Sequence, residues 1–325
     1  MKAAVYDRYG PPEVLEVREV AAPVPGDNEV LIRIRATTVC AADWRMRKAD
    51  PFFIRLFMGL RGPRKVRILG MEFSGEIEAV GKCVSRFHKG DAVFGSAGFQ
   101  FGCHAEFLCL PESGQLAMMP RTMSFEEAAA VMFGGVSALC FLRRAKIQAG
   151  QKVLIYGASG SVGVFAVQLA KYFGAQVTGV CSTRNVELVK SLGADHVVDY
   201  TTEDFSQVGP IYDVLFDTVG HSGFRRSMRC LKRGGACVQV GYSGKLGSLV
   251  GWMVGGLWAR TTGKAKMIGG VAQSAAGDQA FFTELIEAGK LRTVIDRRYR
   301  LDEIAEAHRY AQAGHKVGHV VITIG

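Results

Sequence analysis

Three glycines, Gly157, Gly160 and Gly163, recur at a spacing of three residues between two apolar runs. The run before them, residues 153–156, is short and rich in β-branched side chains, which predicts a buried parallel strand. The run after them, residues 164–172, carries apolar residues at helical intervals. In such a strand–turn–helix, glycines allow a tight reversal and let backbone N–H groups approach a pyrophosphate. The spacing therefore predicts a dinucleotide site; the alternative is a turn that uses glycine for its geometry alone.

The residues after the second strand of this unit indicate which dinucleotide is bound. An NAD site usually has a carboxylate there, about twenty residues beyond the turn, which holds the ribose hydroxyls. This chain has Ser182, Thr183 and Arg184 instead. Two hydroxyls and a permanently charged guanidinium suit a 2′-phosphate, which a carboxylate would repel. The pattern predicts NADPH, although the same hydroxyls also suit the start of a helix over residues 185–192.

The composition is that of a globular chain of about two domains, with 325 residues, 48% hydrophobic and 22% charged. No apolar signal follows Met1, and the longest candidate for a membrane span, residues 246–259, is short and interrupted by glycine. The eight cysteines include no C-x-x-C pair, which favours reduced thiols over a disulfide framework. These features predict a cytoplasmic protein without an integral membrane segment.

The formal net charge of +10 raises the question of a nucleic-acid partner. The basic residues are scattered, apart from clusters at residues 61–67 and 297–300, and no nucleic-acid-binding motif is present. Attraction of a polyanionic cofactor and solvated surfaces account for the charge. We therefore expect a small-molecule substrate and no nucleic acid.

The elements that must position these residues fall into two patterns. Residues 1 to about 120 contain short strand-like runs separated by glycine and proline turns, which predicts a compact, barrel-like β domain. From Ser124, which begins a capping box, strands and helices alternate, and this predicts an α/β doubly wound parallel sheet. A final strand at residues 320–324 has no helix after it, so we expect it to return to the first domain.

Several further motifs, in order along nearly the whole chain, resemble the medium-chain dehydrogenase/reductase superfamily. They are M-K-A-A-V-Y at 1–6, G-M-E-F-S-G-E at 70–76, V-G at 80–81, G-D-A-V-F at 90–94, G-A-S-G-S-V-G at 157–163 and L-G-A-D at 192–195. More narrowly, they resemble its zinc-independent quinone oxidoreductase branch. The resemblance implies a GroES-like catalytic domain at residues 1–121, completed by 293–325, and a Rossmann domain at 122–292. It also implies a substrate site between the domains and a homodimer.

The same resemblance bears on zinc. Zinc-dependent relatives have a Cys at the position of Cys40 and a His directly after the glycine that matches Gly70. Here that next residue is Met71, whose thioether is a poor ligand for zinc. We therefore expect no metal. Without zinc, the chemistry that remains is hydride delivery from NADPH to a quinone or an α,β-unsaturated carbonyl, whose reduced form is a delocalised anion.

The resemblance assigns cofactor-binding roles position by position. It implies a pyrophosphate loop at 158–163, a 2′-phosphate site around Ser182, and further contacts from a helix residue and from strand ends. The predicted cofactor-binding residues are Ser137, Ala158, Ser159, Gly160, Ser161, Val162, Gly163, Ser182, Thr183, Arg184, Tyr200, Val219, Val240, Gly241 and Tyr242. For Ser137 the alternative is helix capping or packing, and for Tyr200 an ordinary position at a strand end.

Candidate catalytic residues are Cys40, Asp43 and Arg45. Quinone reductases often have Asn at the position of Cys40 and Tyr at that of Arg45, so this chain departs from them at both. Packing for Cys40, a turn or ion-pair role for Asp43 and a solvated Arg45 are the alternatives. Glu106 resembles the family's buried structural acid.

Three readings of function follow from these residues. The first is a zinc-independent NADPH:quinone or enone reductase, the second an NADP-dependent alcohol dehydrogenase or ketone reductase, and the third a protein that binds NADPH without turnover. The segment at residues 244–270, rich in Gly, Leu and Trp, suits a lid, a dimer contact or a membrane-surface contact.

Overall fold

The computed structural model describes residues 1–64, 66–241 and 246–325. They form two compact units. The first contains residues 1–133, 276–289 and 293–325, and the second contains residues 134–275 and 290–292. The first unit has a large sheet and a two-stranded sheet formed by Lys2–Val5 and Glu16–Glu19, and the second unit has one sheet.

The helices and strands follow one another along the chain in this order. The N-terminal part contains β1 (Lys2–Val5), β2 (Glu16–Glu19), β3 (Glu29–Thr38), α1 (Ala41–Lys48), α2 (Ile54–Met58), β4 (Glu72–Val80), β5 (Ala92–Ser96), β6 (Phe107–Pro111), β7 (Gln115–Met118) and α3 (Phe125–Ala129). The middle part contains α4 (Met132–Ala145), β8 (Lys152–Tyr156), α5 (Ser161–Tyr172), β9 (Gln176–Cys181), α6 (Val186–Ser191), β10 (His196–Asp199), β11 (Tyr212–Asp217), α7 (Phe224–Cys230), β12 (Leu231–Gln239), α8 (Leu246–Thr261) and β13 (Ala265–Ile268). The C-terminal part contains α9 (Asp278–Glu287), β14 (Ile295–Arg300), α10 (Ile304–Gln312) and β15 (His319–Thr323).

The first unit is built on a sheet in which the strands run in the order β14-β15-β3-β4-β5-β7, with β6 also paired to β3. Side chains alternate along β3: Val30, Ile32 and Ile34 are buried, while Arg33 and Arg35 point the other way. This alternation, with period two, is what places one face of the strand on the core. The final strand β15 pairs with β3, so the C-terminus does return to the N-terminal domain as expected.

The second unit contains six parallel strands in the order β10-β9-β8-β11-β12-β13. Counted from β8 this is the 3-2-1-4-5-6 order of the doubly wound dinucleotide-binding fold. Residues 161–170 of α5 are all buried, which explains why the sequence of that helix is apolar on every side. The predicted fold class, a Rossmann sheet with a GroES-like β-rich domain, is confirmed.

The structure adds helices that the sequence did not place and differs from the expected domain boundary. Helices α1 and α2 lie in the region expected to be mainly β, and α8 lies within residues 244–270, for which the sequence predicts no particular secondary structure. Residues 122–133 and 276–289 group with the first unit instead of with the expected 122–292 domain. The grouping has a local cause, since Ala129 and Ala130 pack against Ala36 and Val321 of the first sheet. Hydrophobic packing of a short helix thus extends the first unit beyond residue 121.

Candidate functional site

The glycine turn of the second unit lies where the sequence predicts it, between β8 and α5. Gly157 has a φ of +80°, and its N–H donates to the carbonyl of Val180 at 3.1 Å. Gly160 is the N-cap of α5, and its carbonyl accepts the N–H of Val164 at 3.0 Å. The first N–H groups of a helix have no partner within the helix, and with the helix dipole they form a site suited to an anion.

The three glycines of the turn have different steric surroundings. A Cβ on Gly163 would lie 2.1 Å from the carbonyl oxygen of Gly157, and one on Gly157 would lie 2.4 Å from a methyl carbon of Val219. A Cβ on Gly160 would meet only the Gly157 oxygen, at 3.6 Å, which is ordinary contact. Gly157 and Gly163 are thus required by the fold of the turn. Gly160 leaves space that the protein itself does not use, as expected of a cradle for a pyrophosphate.

The predicted 2′-phosphate residues lie at the ends of the neighbouring strands β9 and β10. Thr183 and Arg184 are exposed, and Tyr200 is 51% exposed. The hydroxyl of Thr183 donates to the Asp199 carboxylate at 2.5 Å, and this hydrogen bond is the largest cause of a lowered pKa of Asp199. The end of β9 itself has no acid, but the adjacent strand brings one to it. The local sequence could not show this carboxylate.

Asn185 connects two parts of the site that are distant in sequence. Its side chain is buried, and its amide nitrogen donates to the hydroxyl of Ser159 at 3.0 Å and to that of Ser182 at 3.2 Å. It therefore links the glycine turn to the end of β9. The sequence predicts Asn185 only as the start of a helix, since no local pattern indicates a contact across 26 residues.

The end of β11 is organised by a fully buried acid, Asp217. Its two oxygens accept the backbone N–H groups of Val219 at 2.9 Å, Gly220 at 2.7 Å and Ser222 at 2.9 Å. The backbone of Asp217 also accepts the N–H of Val240 at 2.9 Å. The predicted residues Val219 and Val240 thus lie at adjacent strand ends.

The other cofactor residues in the prediction lie at three kinds of position. Gly241 directly follows Val240, and Ser137 is buried on α4. Ala158, Ser161 and Val162 belong to the turn and to the first turn of α5. Tyr242 lies outside the described residues. The assignment of each residue to the cofactor stays a prediction.

In the first unit, the candidates Cys40 and Asp43 lie at the start of α1. Both side chains are buried. Asp43 accepts the N–H of Cys40 at 2.8 Å through Oδ2 and the N–H of Gly70 at 2.8 Å through Oδ1. Burial raises the pKa of the Cys40 thiol well above its usual value, and the charge of Asp43 acts in the same direction. The arrangement holds Asp43 as a bridge between two loops and keeps Cys40 as a thiol.

Another buried acid of this unit is Glu72, which was not among the residues predicted from the sequence. One of its oxygens accepts the N–H of Phe133 at 2.6 Å and the other accepts the hydroxyl of Thr38. Burial raises the pKa of Glu72 to about 7, while these hydrogen bonds act in the opposite direction. Glu106, which resembled the buried acid, is only partly buried and accepts the N–H of Lys2 at 2.8 Å. The expectation that Glu106 is buried was wrong; it lies directly before β6, and its backbone is hydrogen-bonded to Ile34 and to Lys2.

Two cationic side chains complete this region. Arg45 is half-buried, and its guanidinium lies 4.6 Å from the ring centroid of Trp44. The catalytic role of Arg45 stays a prediction. Lys316, which the sequence analysis missed, donates to the carbonyl of Gly318 at 2.6 Å. Burial lowers its pKa to about 8, while the carboxylates of Glu72 and Asp296 favour its protonated form.

The residues at the metal position of zinc-dependent relatives do not fit zinc. Met71 is a thioether, a poor ligand for zinc, at the position where zinc-dependent relatives have a His, and Cys40 alone cannot hold the ion. Across residues 1–64, 66–241 and 246–325, no three His, Cys, Asp or Glu side chains gather as a metal site would require. No helix in these ranges has the length and hydrophobicity needed to cross a membrane.

Replacing Glu72 by Gln is expected to change how stability depends on pH. A carboxyl whose pKa rises from 4.5 to about 7 on folding stabilises the protein fully only below pH 4.5, and that contribution is lost as the pH rises to 7. The stability of the Gln variant relative to wild type should therefore increase by roughly 3 kcal/mol over this range. Urea unfolding of the variant and the wild type at acidic and at mildly alkaline pH measures the difference in stability between them. A difference in stability that is the same at both pH values would contradict a raised pKa of Glu72.

Two family models match the chain. The alcohol dehydrogenase GroES-like domain matches residues 26–121, and the zinc-binding dehydrogenase matches residues 192–322. The quinone oxidoreductase of Pseudomonas aeruginosa is 32% identical over 99% of this chain and 99% of its own length. The NADPH-dependent alkenal/one oxidoreductase of Arabidopsis thaliana is 29% identical, over 99% of this chain and 79% of its own.

The solved structure of the quinone oxidoreductase from Coxiella burnetii matches this fold with a TM-score of 0.88 and 31% identity, over 100% of this chain and 99% of that one. Together with the glycine turn, these matches define a two-domain dehydrogenase that uses a nicotinamide cofactor. The chain belongs to the medium-chain dehydrogenase/reductase superfamily, in its quinone oxidoreductase-like branch. The predicted family and enzyme class, an NAD(P)H-dependent oxidoreductase, are confirmed.

Proposed function

We propose that the protein is a zinc-independent reductase that transfers hydride from NADPH to a quinone or an α,β-unsaturated carbonyl. The observation that carries this proposal is Met71, a thioether at the position where zinc-dependent relatives have their His ligand. A substrate whose reduced form is a delocalised anion needs less polarisation than a simple ketone. The relatives named for quinones and for alkenals support the same substrate class.

The side chains of this chain have separate tasks in the proposal. Bound nicotinamide supplies the hydride. The glycine turn holds the pyrophosphate with the N–H groups of α5, and Arg184 and Tyr200 hold the 2′-phosphate. Asp43 keeps the loops of Cys40 and Gly70 in place through its two backbone hydrogen bonds. Cytoplasmic location, a homodimeric state and the absence of a nucleic-acid partner belong to the same proposal.

The test is NADPH and NADH oxidation with a quinone and an enone, using protein treated with a chelator. Turnover that survives chelation and favours NADPH is the expected result. Activity that is lost on chelation and restored by zinc, together with alcohol oxidation, would instead identify the alcohol dehydrogenase. NADPH binding with no turnover on any acceptor would identify a binding protein.

Two variants make the cofactor assay specific to the proposed 2′-phosphate site. Arg184→Ala should lower the ratio of kcat/KM for NADPH to that for NADH by about thirtyfold, the scale of a charge-assisted hydrogen bond. Asp199→Asn should raise the ratio, because it removes a negative charge while keeping an acceptor for Thr183. Lys190→Ala, which removes an exposed cation from α6, is the control. An unchanged ratio in Arg184→Ala would rule out Arg184 as the phosphate ligand.

A further inference from the structure

One surface segment of the first unit combines basic charge with apolar side chains. Residues 51–71 contain five cations, Arg55, Arg61, Arg64, Lys65 and Arg67, and no Asp or Glu. Arg61, Arg64 and Arg67 are exposed. Arg67 is paired with Asp7, so among the described residues of this segment Arg61 and Arg64 carry the positive charge presented to solvent. The cofactor chemistry described above does not use these charges.

The same segment exposes four large apolar side chains within nine residues. Phe52 is 67% exposed, Phe53 56%, Leu56 68% and Leu60 63%. Single exposed apolar residues are common, but a local group of this size marks an interaction surface. Leu56 lies on α2, Phe53 directly precedes this helix, and Leu60 follows its C-cap residue Gly59.

Packed residues beneath the segment hold these side chains in place. The guanidinium of Arg55 lies 5.0 Å from the ring centroids of both Tyr9 and Phe52. The hydroxyl of Tyr9 donates to the carbonyl of Gly59 at 2.9 Å, and Pro63 and Val66 are buried. These contacts therefore fix the residues beneath the exposed apolar side chains, which point toward solvent.

We propose that residues 52–64 form a docking surface for an anionic lipid bilayer. Apolar side chains flanked by Arg, with no acidic residue among them, are complementary to a surface with a hydrocarbon interior and negative headgroups. The mode is interfacial: Phe53, Leu56 and Leu60 enter the headgroup boundary while Arg61 and Arg64 contact phosphates. The proposal does not rest on the reductase function, because binding to lipid is measured without turnover.

The experiment is sedimentation of the full-length protein with vesicles. One set contains phosphatidylglycerol and phosphatidylcholine, and the other contains phosphatidylcholine alone. We expect binding to the anionic vesicles only, and we expect it to weaken as the salt concentration rises. A Leu60→Trp variant adds a direct readout, since its fluorescence should be quenched by brominated lipid if the segment enters the bilayer.

Matched variants assign the binding to this segment. Arg61→Gln with Arg64→Gln should weaken binding by about thirtyfold, since each basic residue near an anionic surface contributes roughly fivefold. Phe53→Ser with Leu56→Ser should weaken it at least about tenfold by removing inserted apolar area. The controls are Arg229→Gln with Arg233→Gln, which removes two exposed cations of the second unit, and Phe99→Ser, which removes an exposed ring outside the segment.

Three results would overturn the proposal. The first is no sedimentation with anionic vesicles. The second is an equal loss of binding in the control variants, which would indicate general charge or hydrophobicity. The third is a lipid-independent change of oligomeric state in Phe53→Ser with Leu56→Ser, combined with no vesicle binding by wild type, which would assign the patch to a second copy of the chain. Circular dichroism melting of each variant shows that the fold is retained.

Discussion

Replacing Gly163 by Ala is expected to destabilise the second unit and to abolish cofactor binding. The added Cβ would lie 2.1 Å from the Gly157 oxygen and 2.7 Å from the carbonyl carbon of Ala158, and both are backbone atoms that cannot rotate away. To make room, α5 must move away from β8, at a cost of about 3 kcal/mol or more. That movement also displaces the N–H groups that face the pyrophosphate. Urea unfolding and NADPH titration by fluorescence measure the two effects.

Gly160→Ala is the matched control, and it should separate the fold from the cofactor. The Cβ of this variant has space in the protein, and the φ of −81° at Gly160 suits any residue. We expect stability within about 1 kcal/mol of wild type. Cofactor affinity should nevertheless fall at least about tenfold, since the methyl group occupies the approach to the pyrophosphate. Unchanged affinity in Gly160→Ala would show that the cofactor does not lie over this turn.

The second unit was the more predictable from sequence because its signals are local. The apolar strand β8, the glycine spacing and the apolar helix α5 lie within about twenty residues, so one window contains the whole motif. The alternation of strands and helices then constrains the topology, since parallel strands need crossover helices. The sequence could not predict the position of α8, because glycine and leucine in residues 244–270 suit a loop as well as a helix.

The site residues that sequence analysis missed depend on contacts between distant segments. Glu72 is defined by its contacts with Thr38 and Phe133, and Asp199 reaches Thr183 only because β10 pairs with β9. Whether an acid of the first domain is buried likewise depends on the folded sheet. Residue type alone therefore could not show that Glu72 is buried and Glu106 only partly buried. Residue types and spacing indicate local chemistry, while burial and pairing require the fold.

A second large effect is expected at Arg47, which is fully buried on α1. Its guanidinium donates to three neutral acceptors: Nδ1 of His308 at 3.3 Å, the carbonyl of Gly10 and the side-chain oxygen of Gln312. Burial lowers its pKa to about 10, so it remains charged at neutral pH. The side chain thereby joins the start of the chain, α1 and α10, and it was not among the residues that the sequence analysis singled out.

Arg47→Ala should reduce the free energy of unfolding by about 4 kcal/mol, because it leaves a cavity and removes the donor from the buried His308 ring and from the partly buried Gly10 carbonyl and Gln312 side chain. Arg47→Met fills most of the volume and also removes the cost of burying a charge, so we expect less than half of that loss. Lys48→Ala, an exposed neighbour on the same helix, should change stability by no more than about 0.5 kcal/mol. Urea unfolding followed by circular dichroism provides the measurement. If Arg47→Ala and Arg47→Met were equally destabilising, the lost hydrogen bonds would outweigh the cavity; if both resembled Lys48→Ala, Arg47 would not stabilise the first unit.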